Sequence, residues 1–439
     1  MKVRRFCICS VVFALLLSVG IYPQSGGKTS VPPQLQEKLD YVKSSPDCTL
    51  EYIEGLEAEI AGLYPADDYV FFRTNLRKAM IYFSSQDYGN GMNYLDRAKS
   101  ILKKQTAYDD EDAAKTEETY GYAFFLAGNP DEGLGHFKNA VSIREKVYGT
   151  SSSELANTCQ SIAALYDRIG DYNTALKYFK RTLDIWKKLF GEEHRSTAWA
   201  YSNVGAMYHR KGDYDRALKY FKKALDIRKV VLGDEHVDTA SSYNNIGCVY
   251  HEKGEYWRSL EYYNLALDIW IKIYGENHPY VADTYDNIGL VASKTVGYDL
   301  ALEYHLKALD IYKKTYGEEH PDTALCYNNI GTVYRDKRDY DKALEYFVRA
   351  LDIRRKIRGE QHPDTAQSYA NIGSVYHAVS DYEQALYYYG RALDIRRKTL
   401  GEKHPDTAQN YKDIGAVYSA KGDNERALEY YGKSLDSGK

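Results

Sequence analysis

Seven glycines, Gly149, Gly191, Gly233, Gly275, Gly317, Gly359 and Gly401, stand 42 residues apart. A second column, Gly205, Gly247, Gly289, Gly331, Gly373 and Gly415, keeps the same step, and so does a third, Tyr172, Tyr214, Tyr256, Tyr298, Tyr340 and Tyr382. Weaker copies extend the register upstream: Tyr88 lies two periods before Tyr172, and Gly128 one period before Gly170. Nine units begin near residues 68, 110, 152, 194, 236, 278, 320, 362 and 404. A period of this length marks a stack of like units, because a single unit leaves an apolar face wet and neighbours cover it. One ordinary core drawn from the whole chain is thereby excluded.

Residues 320–361 show how one unit is built. Pro321-Asp322-Thr323 opens a helix: proline suits the first turn and the acid faces the positive helix end. Tyr327, Ile330, Gly331 and Tyr334 recur at helical spacing on one face. Gly331, lacking a side chain, lets a second helix come close. A turn at Lys337-Arg338-Asp339 leads into that helix, whose buried face is Ala343, Leu344, Phe347, Ala350, Leu351 and Ile353. Arg354, Arg355 and Lys356 sit near its negative end, and Gly359 stops it. Each unit is therefore an antiparallel helix pair, with turns expected near 128, 170, 212, 254, 297, 338, 380 and 422. One second-helix slot, Trp186, Arg228, Trp270, Tyr312, Arg354 and Arg396, mixes aromatics with arginine and reads as a solvated or stacking position.

These motifs resemble a known family. Tyr-Asn-Asn-Ile-Gly-x-Val-Tyr at 243–250 and 327–334, followed by Asp-Tyr-Asp-Lys-Ala-Leu-Glu-Tyr-Phe at 339–347, is similar to the tetratricopeptide repeat. That repeat usually has a period of about 34. Here the second helix is longer and closes with Gly-Glu-x-His-Pro-Asp-Thr-Ala, as in the repeats of kinesin light chains and their bacterial relatives. The resemblance covers 110–439 firmly and 68–109 loosely. It implies an all-α fold, an αα superhelix or solenoid of helix pairs, which binds peptides or protein surfaces on its concave side. A motor-cargo role does not carry over, because no heptad coiled coil is present.

The amino terminus departs from the repeat. Lys2, Arg4 and Arg5 precede the nearly uninterrupted apolar stretch from Phe6 to Tyr22, a secretory signal pattern. The stretch is also close to the length of a membrane span, so a cleaved signal and an uncleaved anchor both remain open. The chain thus divides into 1–25, signal or anchor; 26–67, a linker and capping helices around Pro46; and 68–439, the repeats. An exported protein, periplasmic or secreted, is expected, with a membrane-anchored one as the alternative. Lys+Arg is 58 against Asp+Glu 62, a net charge of -4, which argues against a general nucleic-acid binder.

No catalytic constellation is present: there is no Gly-x-Ser-x-Gly, no phosphate-cradling loop and no His-Glu-x-x-His. No enzyme activity and no cofactor are expected. The column His194, His236, His278, His320, His362 and His404 reads as helix caps, since ligands one unit apart are too far apart to share an ion. No metal site is expected. Cys159, Cys248 and Cys326 fall on first helices of separate units, at least two units apart, and should be unpaired with one another.

The expected partner is a protein or peptide, with self-association of a structural envelope protein as the alternative. Its candidate groove is lined by Asn203, Asn245, Asn287, Asn329 and Asn371, one slot of successive first helices, with Asp413 in the last unit. An amide both donates and accepts, which suits an extended peptide backbone. It equally suits a hydrogen bond to the neighbouring helix. Other first-helix slots vary from unit to unit, and in them Trp199, Leu290 and Leu325 are the large apolar candidates for partner pockets.

Overall fold

The computed structural model describes residues 37, 38, 42, 49–61, 63, 69–85, 87–104, 110–295 and 297–437. Among these, all regular structure is helical. The signal or anchor expected at 1–25 lies outside the described residues. No described helix is long and apolar enough to cross a membrane.

The described chain divides into two compact units, one ending at Gly233 and one beginning at Asp234. The first holds α1 (Leu50–Ala61), α2 (Tyr69–Ser84), α3 (Tyr88–Lys104), α4 (Asp110–Leu126), α5 (Pro130–Tyr148), α6 (Ser153–Arg168), α7 (Tyr172–Phe190), α8 (Arg195–Arg210) and α9 (Tyr214–Leu232). The second holds α10 (Val237–Glu252), α11 (Tyr256–Tyr274), α12 (Pro279–Thr295), α13 (Tyr298–Tyr316), α14 (Pro321–Asp336), α15 (Tyr340–Arg358), α16 (Pro363–Ala378), α17 (Tyr382–Leu400), α18 (Pro405–Ala420) and α19 (Asn424–Ser437). From α2 onward the helices pair, first with second. Within each compact unit, every second helix also packs on the first helix of the next pair. α1 precedes the pairs and buries Ile53, Leu56 and Ile60 against Phe71 and Ile81.

The turns inside the pairs fall where the period puts them. From α4 onward a residue of positive φ occupies each one: Gly128, Gly170, Gly212, Gly254, Gly297, Arg338, Ser380 and Gly422. The junctions between pairs explain the motif Gly-Glu-x-His-Pro-Asp-Thr-Ala letter by letter. Gly317, at φ 85°, ends α13. The Glu318 carboxylate accepts a hydrogen bond from the Tyr327 hydroxyl. Nδ1 of His320 accepts the Asp322 backbone N–H at 3.2 Å, capping α14, and Pro321 fills the first turn. The Thr323 hydroxyl donates back to the Gly317 carbonyl at 2.9 Å, and Ala324 is fully buried. The same cap recurs at His194, His236, His278, His362 and His404.

Tyrosine, at 45 residues against 12 Phe and 4 Trp, is used the same way in unit after unit. Tyr334 stacks on Tyr346 with ring centroids 5.5 Å apart, and Tyr327 leans on the same ring at 5.9 Å. Tyr208 and Tyr201 meet Tyr220 in this way, and Tyr376 and Tyr369 meet Tyr388. The first-helix glycine seats the next ring: a Cβ on Gly331 would lie 2.8 Å from the Phe347 ring. Leu351 and its counterparts Leu225, Leu267, Leu309 and Leu393 are buried as the helix phase requires. Cys159, Cys248 and Cys326 are buried free thiols.

One slot differs from its sequence reading. Arg228, Arg354 and Arg396 are buried rather than solvated. Arg354 donates to the Asp364 carbonyl at 3.1 Å and to the Ser368 hydroxyl at 2.7 Å. Arg396 repeats this with the Asp406 carbonyl at 3.2 Å and Asn410 at 2.9 Å. The guanidinium thus ties α15 and α17 to the first helix of the next pair, supplying donors where helix packing would otherwise leave polar atoms dry.

Candidate functional site

The candidate residues lie on the first helices, so the contacts of those helices decide what is free to meet a partner. In the second compact unit the Asn column forms a ladder between successive first helices. Nδ2 of Asn287 on α12 donates to Oδ1 of Asn244 on α10 at 3.4 Å. Nδ2 of Asn329 on α14 donates to Oδ2 of Asp286 at 2.9 Å. Nδ2 of Asn371 on α16 donates to Oδ1 of Asn328 at 2.5 Å, and its Oδ1 accepts from Gln367 at 2.9 Å. Each donor reaches back 43 residues, one period plus one. Asn287 and Asn329 are buried; Asn245 and Asn371 are half-buried. In the first compact unit Asn203 is buried, and its Nδ2 has no hydrogen-bond partner. Of the two roles left open for this column, a bond to the neighbouring helix is the one the geometry displays at Asn287, Asn329 and Asn371.

The ladder ends where its chemistry changes. Asp413 occupies the Asn slot of α18, and the residue 43 positions before it is Ala370, which offers no side-chain acceptor. Asp413 instead accepts from Gln409 at 2.8 Å. Burial raises its carboxyl pKa, against the pull of Gln409 and Arg396.

The three apolar candidates separate. Leu290 is 2 % exposed and belongs to the packed interior, as do Cys248 and Thr332 in the same slot. The sequence placed Leu290 in an open slot, but a large apolar side chain there is covered by its own fold. Trp199 is half-buried, its ring edge-on to Phe179 at 6.4 Å. Leu325 is half-buried on α14. Their slot stays accessible along the chain: Trp199 on α8, then Ser241, Asp283 and Leu325, all half-buried, and Gln367, exposed. Two members are steered by the second helix of their own pair. The Tyr312 hydroxyl donates to Asp283 at 2.5 Å, and Arg396 donates to Gln367 at 2.9 Å. A further half-buried set lies near the carboxyl end of the first helices. His209, His251 and His377 lean on Tyr214, Tyr256 and Tyr382, while Arg335 bonds Asp336 and Ser374.

Sequence reasoning missed the acceptor half of the ladder. Its signal was present as adjacent polar pairs on an otherwise apolar face: Asn244-Asn245, Asp286-Asn287 and Asn328-Asn329. In the last two pairs one member donates backward and the other accepts from the unit ahead, and in the first Asn244 accepts from Asn287.

With this geometry in place, comparisons with known proteins settle the class. The tetratricopeptide repeat family matches residues 112–188, 162–229, 196–270, 297–356, 327–398 and 371–438, and the chain belongs to it. No curated protein matches the sequence. Among solved structures, the apo form of the quorum sensor NprR from B. thuringiensis is similar with a TM-score of 0.55 at 18% identity, over 82% of this chain and 97% of that one. The Rap conjugation gene regulator of plasmid pLS20, in complex with the Phr* peptide, has a TM-score of 0.51 at 15% identity, over 84% and 94%. A putative kinesin light chain of P. anserina with nearly identical TPR-like repeats has a TM-score of 0.40 at 20% identity, over 46% and 96%.

Proposed function

We propose that this protein is a non-catalytic scaffold that binds a peptide or protein segment along its first helices. The observation that carries the reading is the slot Ser241, Asp283, Leu325 and Gln367 of the second compact unit, which stays accessible while its chemistry changes from one helix pair to the next. Around it the glycine column from Gly205 to Gly415 and the leucine column from Leu225 to Leu393 recur in every unit. Fixed spacing with varied chemistry presents an ordered set of apolar and polar contacts, which suits one partner segment better than many. Rigid helix pairs hold those contacts in place before the partner arrives, which lowers the ordering cost of binding. The Rap regulator, which shares the fold, was solved in complex with a peptide.

A photo-crosslinking residue at Leu325 or Gln367 tests this. Capture of a polypeptide from native extract at these positions, absent when the crosslinker replaces exposed Glu345 on α15, is the expected result. Equal capture from both faces would remove the reading. In the same reading residues 1–25 carry the chain out of the cytoplasm or hold it at a membrane. Fractionation with and without those residues checks this.

Self-association is the second reading, supported by Trp257 on α11, a large apolar side chain that is 67 % exposed. Mass measured across a dilution series distinguishes it from the first.

A further inference from the structure

Three departures from the repeat meet at one point in the second compact unit. The second-helix slot that seats a ring on the first-helix glycine holds Phe221, Tyr263, Phe347 and Tyr389 elsewhere, but His305 on α13, against Gly289. The first-helix slot held by Ser202, Asn244 and Asn328 is Asp286 on α12. The slot held by Ser242, Thr284 and Ser368 is Cys326 on α14. Independent drift at three slots has no reason to select these three residue types, nor to select them where the fold brings them together.

The fold does bring them together. His305 Nδ1 lies 2.7 Å from Asp286 Oδ1. Cys326 Sγ donates to the His305 carbonyl at 3.1 Å. One ligand-type atom from each residue lies within 4.8 Å of the other two. His305 is fully buried, and its Nε2 has no hydrogen-bond partner. Asp286 is held from the far side by Asn329 Nδ2 at 2.9 Å.

We infer that Asp286, His305 and Cys326 form a binding site for a divalent transition-metal ion, zinc above all. The set joins a thiolate, an imidazole and a carboxylate, the three side-chain types that zinc takes, and hard ions such as magnesium or calcium do not take sulfur. Around zinc at ~2.0–2.3 Å, neighbouring ligand atoms stand roughly 3.3–3.7 Å apart, a spacing that small side-chain adjustments of this cluster reach. As the Sγ–metal bond forms, the Cys326 thiol releases its proton to solvent. His305 binds neutral and Asp286 binds as its carboxylate. The ion's two positive charges then meet one thiolate and one carboxylate, so the buried cluster is neutral overall, which keeps its desolvation cost low. Asn329 acts as the outer partner that orients the ligating carboxylate. Burial of all three residues separates the cluster from any substrate, so the site serves stability, and loading accompanies folding or local opening.

The test uses the full chain, refolded from denaturant with Co(II) or Zn(II) and then passed over a chelating resin. The expected outcome is one retained ion per chain, a thiolate-to-Co(II) charge-transfer band in the near ultraviolet, and a higher melting temperature with metal than without. The repeat supplies the controls, because other units already carry the substituted side chains: Cys326→Ser, His305→Phe and Asp286→Asn. Loss of an outer partner alone weakens metal sites about 10–100-fold, so each of these variants should lose ~100-fold or more, and Cys326→Ser should lose the band. Circular dichroism confirms which variants refold; any one that does suffices, together with the wild-type spectrum. A refolded wild-type chain that retains no Co(II), or retention that persists in the refolded variants, as metal held at the capping histidines would, overturns the assignment.

Discussion

A side chain that recurs every 42 residues answers a demand that recurs every 42 residues, and here the demand is structural more often than chemical. Asn329 shows this. Its amide is buried and donates to the Asp286 carboxylate on the preceding first helix. Asn329→Ala should therefore cost ~1–3 kcal/mol in urea unfolding, because the carboxylate loses a buried donor; a loss below ~0.5 kcal/mol would mean that solvent satisfies both groups. The sequence displayed the column but not its depth. An amide on a first helix looks the same in the alphabet of residues whether it faces a partner or the helix one period back. Glu118 carries the same lesson with a charge. Its carboxylate pairs with Arg144 at 2.6 Å, both groups buried. Burial alone would raise the Glu118 pKa, but Arg144 and Lys115 outweigh it and hold the group down from 4.5 to about 2. A depressed folded pKa means stability that is in place above the unfolded value and is lost as pH falls through the folded one. The first compact unit should therefore lose on the order of 3 kcal/mol between pH 4.5 and 2. Glu118→Gln should flatten that part of the acid-unfolding curve.

At the scale of the helix, the ends are specified more tightly than the middles. His320, Asp322, Thr323 and Gly317 close one junction with their own local bonds, and the same residue types and bonds recur at His362 and His404. This is why the helix boundaries were legible. A cap uses residues adjacent in sequence, so period and residue type suffice to locate it. The second-helix arginines were not legible, because Arg354 reaches a carbonyl and a hydroxyl 10 and 14 residues ahead, on another helix. Two turns are under strain that the repeat itself shows how to relieve. Arg338 and Ser380 sit at φ 66° and 62°, where Gly128, Gly170, Gly212, Gly254 and Gly422 stand in other pairs. A side chain in this region costs ~1–2 kcal/mol, while glycine adds about 0.5–1 kcal/mol of unfolded-state entropy. Arg338→Gly and Ser380→Gly should each stabilise by roughly 0.5–1 kcal/mol. Thermal melting of the double variant reads the sum, and a fall would show that the turn gains more from the side chain than it loses in strain.

For the molecule as a whole, contacts are made between neighbouring helices, so the effect of a mutation should fade with distance along the chain. Leu351→Ala, in a slot that is 6 % exposed, should cost ~2–5 kcal/mol. Hydrogen exchange should place the lost protection in α14, α15 and α16 and leave the helices before Gly233 unchanged; uniform loss would point to one cooperative structure. The fold was legible for the same reason that the binding site was only partly so. Period, caps and glycine seats are local and repeated, whereas exposure at Trp199 and Leu325, against burial at Leu290, depends on helices that sequence spacing does not rank. The amide ladder gives this construction a currency of length. Excision of residues 320–361 would bring Asn371 to the place of Asn329, facing the Asp286 carboxylate, and donor would still meet acceptor. Between Asn244 and Asn371 the rungs are interchangeable, so this stretch can be shortened or lengthened by whole 42-residue steps with each seam already matched on both sides, and its reach can change without redesign of those joints.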